Sequence, residues 1–379
     1  MNRNFDLSIA GAGVMGLACA LEAARKGEKV GVFDPSGGGS KASFAAAGIL
    51  VTRDAHAFAS PFREFYVRSI RQYPEWLAGV SAASGVDIPL HRKGDNLIFD
   101  MNDSEAVARL DAKRRQFDRE KAADFTETDR LPDFLRPHCP LDKVKVFNFP
   151  GEAYVQNRDL MTALRIACER AGVVFLTAGA DPGSSWTHAG GTTRLDFTKA
   201  AGETWESRRV LIAAGAWTAQ LLEGLGITAP LVGVKGQMIR IPRFHASESM
   251  AHFNDDLYLV PRGDSLVVGA TTEPGVWDER FDATGEAFIE SRLARMLPGI
   301  SRSSLERWAG IRPRPKDRLP WMGWVDAERG LAICTGHYKC GISMAPLAAQ
   351  CMTRLMHGEK PPMDLAAFNP WRRQGLSRI

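Results

Sequence analysis

The stretch that decides the fold is Gly11-Ala12-Gly13-Val14-Met15-Gly16, which has the spacing Gly-x-Gly-x-x-Gly. The apolar segment 5–10 precedes it and predicts a strand. Apolar residues at helical spacing follow in 17–26, and 29–33 predicts a second strand that ends at Asp34. This order of strand, glycine loop, helix, strand and acid is typical of a unit that binds a dinucleotide.

Each glycine of this loop has a physical role. Gly11 permits a tight turn, Gly13 lets the backbone approach a pyrophosphate, and Gly16 lets the helix pack closely on the strand. The unpaired N–H groups at the start of the helix attract phosphates, and the carboxylate at the end of the second strand accepts hydrogen bonds from a ribose hydroxyl. The residues predicted here to bind the cofactor are Gly11, Gly13, Val14, Met15, Gly16 and Asp34.

The segment 35–50, Pro-Ser-Gly-Gly-Gly-Ser-Lys-Ala-Ser-Phe-Ala-Ala-Ala-Gly-Ile-Leu, indicates which dinucleotide is bound. A nicotinamide enzyme usually continues with another crossover unit after the second strand. This chain instead enters what we predict to be a long loop of small residues, which lets backbone lie against a large planar ligand. Ser40 and Ser43 offer hydroxyl groups for phosphates. The pattern therefore favours FAD.

Composition excludes several other classes of protein. The chain has 379 residues, of which 45% are hydrophobic and 24% charged, and a formal net charge of only +4. This length predicts two domains of ordinary globular material. Basic and acidic residues alternate, as in 111–121, which predicts the solvated face of a surface helix. Because no basic surface is concentrated in one place, we expect no nucleic-acid partner.

The cysteines and the start of the chain indicate a reducing compartment. None of the six cysteines forms a Cys-x-x-Cys pair, and no Cys/His cluster has the spacing of zinc ligands, so we predict no metal site. The first residues lack the pattern of a signal peptide, and no stretch of about 18 apolar residues predicts a membrane span. We therefore expect a cytoplasmic protein with reduced thiols.

The stretch 43–50, taken with the glycine loop, resembles the D-amino-acid oxidase superfamily, and within it bacterial glycine oxidases, which are linked to thiamine biosynthesis. The resemblance extends over nearly the whole chain in the expected order. The further segments that carry it are 151–175, 210–217, 234–237, 258–262, 309–313 and 336–341.

The resemblance implies an α/β flavoprotein with two domains and FAD bound in an extended form. It assigns 1–85, 145–225 and 305–379 to a Rossmann-like FAD-binding domain, and 86–144 and 226–304 to a substrate domain. The residues independently favour an antiparallel sheet in the second domain, because 257–260 and 265–269 flank turn residues at 262–264 and predict a hairpin beside 234–241.

Further cofactor contacts follow from the same resemblance. They are Ala46, Ala47, Gly48, Ile49, Val174, Ala213, Ala214, Gly215, Trp217, Arg312, His337, Tyr338, Lys339, Cys340, Gly341 and Ile342.

Three residues are predicted to act on the substrate. Arg312 occupies the family's carboxylate-binding position in Gly-Ile-Arg-Pro, and its guanidinium presents a planar fork that matches a carboxylate. The alternative is a surface arginine beside prolines. Tyr258 is predicted to donate a hydrogen bond to the same carboxylate, against the alternative of an ordinary strand tyrosine. Lys339 is the third catalytic candidate.

The pair Lys339-Cys340 departs from glycine oxidases, which usually carry arginine and then asparagine there. Lysine keeps the positive charge but loses the bidentate fork. Four alternatives stay open for Lys339. It attracts a carboxylate, stabilises reduced flavin, assists oxygen reduction, or signals a different substrate. For Cys340 a buried unreactive thiol is favoured over a covalent flavin link. His337 is either a structural histidine or a residue near the flavin.

The resemblance implies oxidation of glycine, sarcosine or a small D-amino acid by oxygen, which yields a 2-oxo acid, ammonia or an amine, and hydrogen peroxide. A dehydrogenase that passes electrons to a quinone or a carrier protein is the alternative, and the sequence does not separate the two. A remote alternative is a flavoprotein that modifies the wobble uridine of tRNA. The resemblance also implies a homo-oligomer.

Overall fold

A computed structural model describes residues 2–38, 41–53, 55, 60–120, 124–176, 185–189, 192–196, 204–244, 249–300 and 305–378. Its α-helices are α1 (Val14–Arg25), α2 (Ala42–Ala45), α3 (Ser60–Arg71), α4 (Tyr73–Ser84), α5 (Ser104–Glu120), α6 (Asn157–Arg170), α7 (Thr218–Glu223), α8 (Ala283–Met296) and α9 (Gly341–Met356). Its strands are β1 (Asn2–Ala10), β2 (Val30–Phe33), β3 (Ile49–Leu50), β4 (Leu90–His91), β5 (Asp95–Asp100), β6 (Thr126–Thr128), β7 (Val144–Phe149), β8 (Ala153–Val155), β9 (Val174–Leu176), β10 (Ser185–Ala189), β11 (Thr192–Asp196), β12 (Thr204–Ile212), β13 (Ile227–Thr228), β14 (Leu231–Ile241), β15 (Met250–Phe253), β16 (Leu257–Arg262), β17 (Ser265–Gly269), β18 (Glu273–Pro274), β19 (Glu306–Pro315), β20 (Trp321–Asp326), β21 (Leu331–Thr335) and β22 (Ser377–Arg378).

The first sheet has a parallel centre in the order β9-β2-β1-β12-β21. Antiparallel strands extend it, with β20 beside β21 and the hairpin β10-β11 beside the first half of β12. Ala10 lies opposite both Phe33 and Ile212, so the carboxyl ends of three neighbouring strands meet at one edge. Ligands of open parallel sheets bind at such an edge.

Helix α1 confirms the predicted dinucleotide-binding unit and begins earlier than its apolar spacing indicated. It starts at Val14 rather than at residue 17, because the last residues of the glycine motif already form its first turn. A Cβ on Gly16 would lie 1.9 Å from the carbonyl oxygen of Gly11. The glycine is therefore what allows the helix to pack this closely on the turn. The helix then packs against α6 and α9 in a shared apolar core.

The predicted loop at 35–50 contains regular structure, which corrects that part of the prediction. Helix α2 covers Ala42–Ala45, and β3 pairs with β8 in a small sheet that also includes β4. Alanines favour a helical turn. Gly48 has a φ of +67°, and a Cβ there would lie 2.0 Å from the carbonyl oxygen of Val155, so this glycine sets the close approach of the two segments.

The second sheet has nine strands and is antiparallel except where β15 runs parallel to β5. The predicted hairpin is confirmed, because β16 and β17 pair up to Arg262 opposite Ser265, and β17 also pairs with β14. Helix α8 packs beneath this sheet, and its first N–H groups are capped by the Asp282 carboxylate. The mixed α/β class is confirmed.

Strands of the second sheet come from several of the predicted domain segments. Strand β19 belongs to the segment 305–379, yet it pairs with β14 along its whole length. Strand β7 lies at the start of the segment 145–225 and pairs with β5 and β6. The proposed domain boundaries therefore stay a prediction, and the chain crosses between the two sheets repeatedly.

Candidate active site

A cavity of about 1150 Å³ extends from the carboxyl edge of the first sheet to the face of the second sheet. Pockets for small molecules typically measure ~300–1,000 Å³, so this one has room for more than a small substrate. The predicted site residues that line it are Gly11, Gly13, Val14, Met15, Asp34, Ser43, Ala46, Ala47, Gly48, Ile49, Ala213, Ala214, Gly215, Trp217, Tyr258, Arg312, His337, Tyr338, Lys339, Cys340, Gly341 and Ile342.

Two predicted residues are placed away from the cavity lining, and a third is not among the described residues. Gly16 packs against the turn below the cavity, as described above. Val174 is in β9, opposite Gly31, and packs on the apolar core of the first sheet. Ser40 lies outside the described residues.

The glycine turn at one end of the cavity forms a cradle for phosphates. Gly11 has a φ of +107°, and a Cβ there would lie 2.6 Å from the carbonyl oxygen of Ala213, so only glycine fits. The N–H of Ala12 donates to the Asp34 carboxylate at 2.8 Å. The N–H of Val14 donates to the Ser43 hydroxyl at 3.0 Å. Both side chains are thereby fixed at the start of α1.

These features fit FAD. The cradle is formed by glycine backbone at positions with no space for a side chain. The helix dipole at the start of α1 favours a negatively charged group. The Asp34 carboxylate lies at the end of β2, where a ribose hydroxyl can donate to it. The Ser43 hydroxyl accepts a backbone N–H, so its own O–H can donate to a phosphate oxygen. The role predicted for Ser43 is compatible with its position.

The side chain of Arg312 is held on the opposite wall, in β19. Its Nη1 donates to the carbonyl oxygen of Thr271 at 3.1 Å and lies 3.5 Å from that of Lys235. A Cβ on Gly236 would lie 2.1 Å from Nη2, so this glycine makes room for the guanidinium. Among the described residues, no carboxylate pairs with Arg312. The guanidinium is oriented by carbonyl groups, and its charge is left available to the cavity.

Tyr258 lies in the same wall, on β16. Burial raises the pKa of its hydroxyl to about 12, although the positive charges of Arg312 and Arg262 oppose the shift. The hydroxyl is therefore protonated at neutral pH and can donate a hydrogen bond. A Cβ on Gly269 would lie 2.9 Å from this hydroxyl, so the ring lies over the glycine on the adjacent strand.

The loop that precedes α9 brings the remaining predicted residues to the cavity. Partial removal from water, with the positive charge of Arg312, lowers the pKa of the Lys339 ammonium. Burial raises the pKa of the Cys340 thiol to about 12, so the thiol is protonated at neutral pH. Burial also lowers the pKa of His337 to about 3, which keeps this imidazole neutral, and its Nε2 lacks a hydrogen-bond partner among the described residues.

Two residues that the sequence did not single out also line the cavity, Arg53 and His252. Arg53 forms a buried ion pair with Asp95, and the imidazole of His252 bonds to the same carboxylate. These residues come from three distant parts of the chain. No local spacing in the sequence connects them, so only the pairing of β5 with β15 could have revealed the group.

The part of the chain that the structure describes contains no group of three His, Cys, Asp or Glu side chains able to hold a metal ion. None of its helices has the length and apolar character needed to cross a membrane. All six cysteines are free thiols.

Comparisons with known proteins show the family of this chain. Residues 6–355 match the DAO family model, described as FAD dependent oxidoreductase. Glycine oxidase from Geobacillus kaustophilus (strain HTA426) is 31% identical over 386 residues, 99% of each chain, and that from Bacillus licheniformis is 27% identical over 383 residues, 100% of each chain. The crystal structure of glycine oxidase from Geobacillus kaustophilus superposes with a TM-score of 0.86 at 28% identity, covering 98% of this chain and 100% of that one. The chain belongs to the DAO family of FAD-dependent oxidoreductases.

Proposed function

We propose that this protein oxidises the amine of a small amino acid or secondary amine, in the class of glycine, sarcosine and D-amino acids. Oxygen is the electron acceptor. The products are a 2-oxo acid, ammonia or an amine, and hydrogen peroxide. The observation that carries the proposal is the guanidinium of Arg312, which faces the cavity without a carboxylate partner among the described residues.

Arg312 and Tyr258 bind the substrate carboxylate in this proposal. The guanidinium supplies the charge and two parallel N–H donors. The Tyr258 hydroxyl, protonated because burial raises its pKa, supplies a further donor to the same group. When two side chains of one wall fix the carboxylate in this way, the adjacent carbon and amine are oriented as well, which lowers the barrier to reaction.

Bound FAD supplies the two-electron acceptor for the carbon–hydrogen bond next to the amine. The side chains of the protein position the substrate and supply the electrostatic field around that reaction. Lys339 contributes a second positive charge, in the same cavity as Arg312, which favours the carboxylate and any negative charge that develops during reduction. His337 stays neutral and contributes a polar surface. The protonated thiol of Cys340 is proposed to pack beside the cofactor without reacting.

The first experiment is to purify the protein, record its visible spectrum, and add glycine, sarcosine and D-alanine with and without air. We expect a flavin spectrum that bleaches without air and returns on re-aeration with formation of peroxide. A colourless protein that cannot be reconstituted with FAD contradicts the cofactor assignment. Bleaching without peroxide indicates the dehydrogenase instead.

Location and assembly complete the proposal. The six free thiols support a cytoplasmic protein. A homo-oligomer is proposed as well, and its mass in solution, measured by light scattering after size exclusion, tests this.

A flavin that no amine of the panel reduces contradicts the proposed substrate class.

A further inference from the structure

We propose that His252 accepts the proton that an ammonium substrate must lose before it is oxidised. The inference rests on the proposed function and adds a residue to it.

The imidazole of His252 is held by a buried carboxylate. Its Nδ1 lies 2.9 Å from Oδ1 of Asp95. The other oxygen of Asp95 lies 2.6 Å from Nη1 of Arg53. The side chain of Asp95 is 0% exposed and that of Arg53 is 1% exposed. Because an ionised carboxylate can only accept, Nδ1 is the donor in this contact, and Nε2 carries the lone pair whenever the imidazole is neutral.

The segment that carries Arg53 is fixed by a second buried acid. The carboxylate of Glu152 accepts hydrogen bonds from the backbone N–H groups of Thr52 and Arg53, each at 2.8 Å. Burial of several charged groups is costly, and a buried ion pair seldom adds stability over apolar residues of the same size. A buried cluster of charged side chains beside a cavity therefore points to function. The effect of the Asp95 carboxylate and its partners is to hold the ring of His252 in one orientation.

The ring lies in the wall that carries a predicted substrate contact. His252 on β15 is directly opposite Tyr258 on β16, and their ring centroids are 6.1 Å apart. Tyr258 is in turn opposite Gly269, and Gly269 is opposite Met238. His252, Tyr258 and Met238 all line the cavity, so this row of the sheet faces it. An amine next to a carboxylate bound at Tyr258 is then within reach of the imidazole, directly or through one water.

The chemistry of a protonated amine gives such an acceptor a role. An amino acid in neutral water carries its amine as an ammonium group, whose nitrogen has no lone pair to support departure of the adjacent hydrogen as hydride. In the proposed step one N–H bond of the ammonium breaks and the proton moves to Nε2 of His252. The imidazolium that forms is stabilised by Asp95. The carbon next to the neutral amine could then give up its hydride to bound FAD, and the proton would leave His252 for cavity water.

Other charged and titratable groups pack against His252 or line the same cavity. The two acids of the turn after β15 are paired with cations of α5 and α8, which removes them as simple acceptors. These groups are Asp95 from β5, which contacts His252, and the cavity-lining residues Arg53 from the segment after β3, Tyr258 from β16, Asp255 and Asp256 from the turn, and Arg312 and Lys339.

The test is the pH profile of kcat/KM for the best amine of the panel, in the FAD-loaded wild type, His252→Gln and His357→Gln. His357 is the matched control, because its imidazole also pairs with a carboxylate, Glu28, at 2.6 Å but does not line the cavity. Glutamine keeps a hydrogen bond to Asp95 and cannot take up a proton. We expect His252→Gln to lower kcat/KM about 100-fold near neutral pH.

The loss must shrink as pH rises, because above the pKa of the ammonium the substrate arrives neutral and needs no acceptor. We expect the ratio of wild type to His252→Gln to fall at least ~10-fold between neutral and alkaline pH, while FAD content and Tm match the control. A ratio that is constant with pH, or a variant as active as the wild type, overturns the inference. If His252→Gln does not fold, His252→Asn is measured in its place. A wild type that oxidises no amine overturns the proposed function itself.

Discussion

The two ends of the cavity are constructed differently. At the cofactor end, the cradle consists of backbone turns and small residues within 11–16, with Asp34 and Ser43 bonded to the first N–H groups of α1. At the substrate end, the wall is made of charged and aromatic side chains from several strands of the second sheet, with Arg53 and Asp95 fully buried behind it. The cofactor end is built mainly from close-packed backbone, and the substrate end from charged and aromatic side chains.

The difference follows from what each end must recognise. A pyrophosphate is bound by backbone N–H groups, so the cofactor end needs close approach and few side chains. A small amino acid offers a carboxylate and an amine, so the substrate end needs a fixed cation and fixed hydrogen-bonding groups. Substitutions at the two ends should therefore affect different measurements, which the following predictions test.

The largest effect is expected for Arg312→Leu at the substrate end. Loss of the cation should lower kcat/KM about 1000-fold, which corresponds to about 4 kcal/mol, because the carboxylate would be bound without its charged partner. Flavin content should stay within about twofold of the wild type. Arg307→Leu, on the same strand but paired with Glu286 outside the cavity, is the control and should change little. Equal losses in both variants would count against a carboxylate site at Arg312.

At the cofactor end, Gly16→Ala should destabilise the whole unit. The new Cβ would lie 1.9 Å from a backbone oxygen that cannot move freely. We expect the free energy of unfolding to fall by about 3 kcal/mol and most of the flavin to be lost, as measured by denaturant unfolding and visible absorbance. Gly151→Ala, which meets nothing within 4 Å, is the control. A stable yellow Gly16→Ala protein contradicts the close packing of α1.

Asp34→Ala should weaken the cofactor end without affecting substrate chemistry. The N–H of Ala12 loses its acceptor and the ribose loses its partner. We expect the Kd for FAD to rise about 30-fold, or ~2 kcal/mol, while kcat at saturating FAD stays near the wild-type value. Asp326→Ala removes a carboxylate that also accepts a backbone N–H, from Arg329, but does not line the cavity. That control should bind FAD normally.

The smallest effect is expected for Lys339→Arg, and it is a shift in pH dependence. Removal from water and the charge of Arg312 lower the pKa of the Lys339 ammonium, so its charge is lost at a lower pH than in free lysine. Arginine stays charged throughout. KM of the wild type should therefore begin to rise at a lower pH than KM of the variant, with values within about threefold at neutral pH. Lys316→Arg, outside the cavity lining, should leave the profile unchanged.

The sequence by itself determined the cofactor end. The glycine spacing, the flanking strands and the terminal acid lie in one continuous segment. Such a segment can adopt its local backbone conformation whatever the position of the rest of the chain. The hairpin at 257–269 was predictable for the same reason, because alternating apolar residues and a turn define it locally. Arg312 and Tyr258 were identified through their motifs rather than through any spacing between them.

Only the tertiary structure decided the substrate wall. His252, Asp95 and Arg53 meet because β15 pairs with β5 and because β3 lies beside β8, which brings the segment after β3 close to Glu152. No local pattern predicts these pairings, since each strand could pair elsewhere with similar local energy. The helix α2 was missed because small residues fit a loop and a helical turn equally well, and close contact with Gly310 and Asn157 selected the helix. Local sequence fixed the backbone of the cofactor site, and long-range pairing placed the charges.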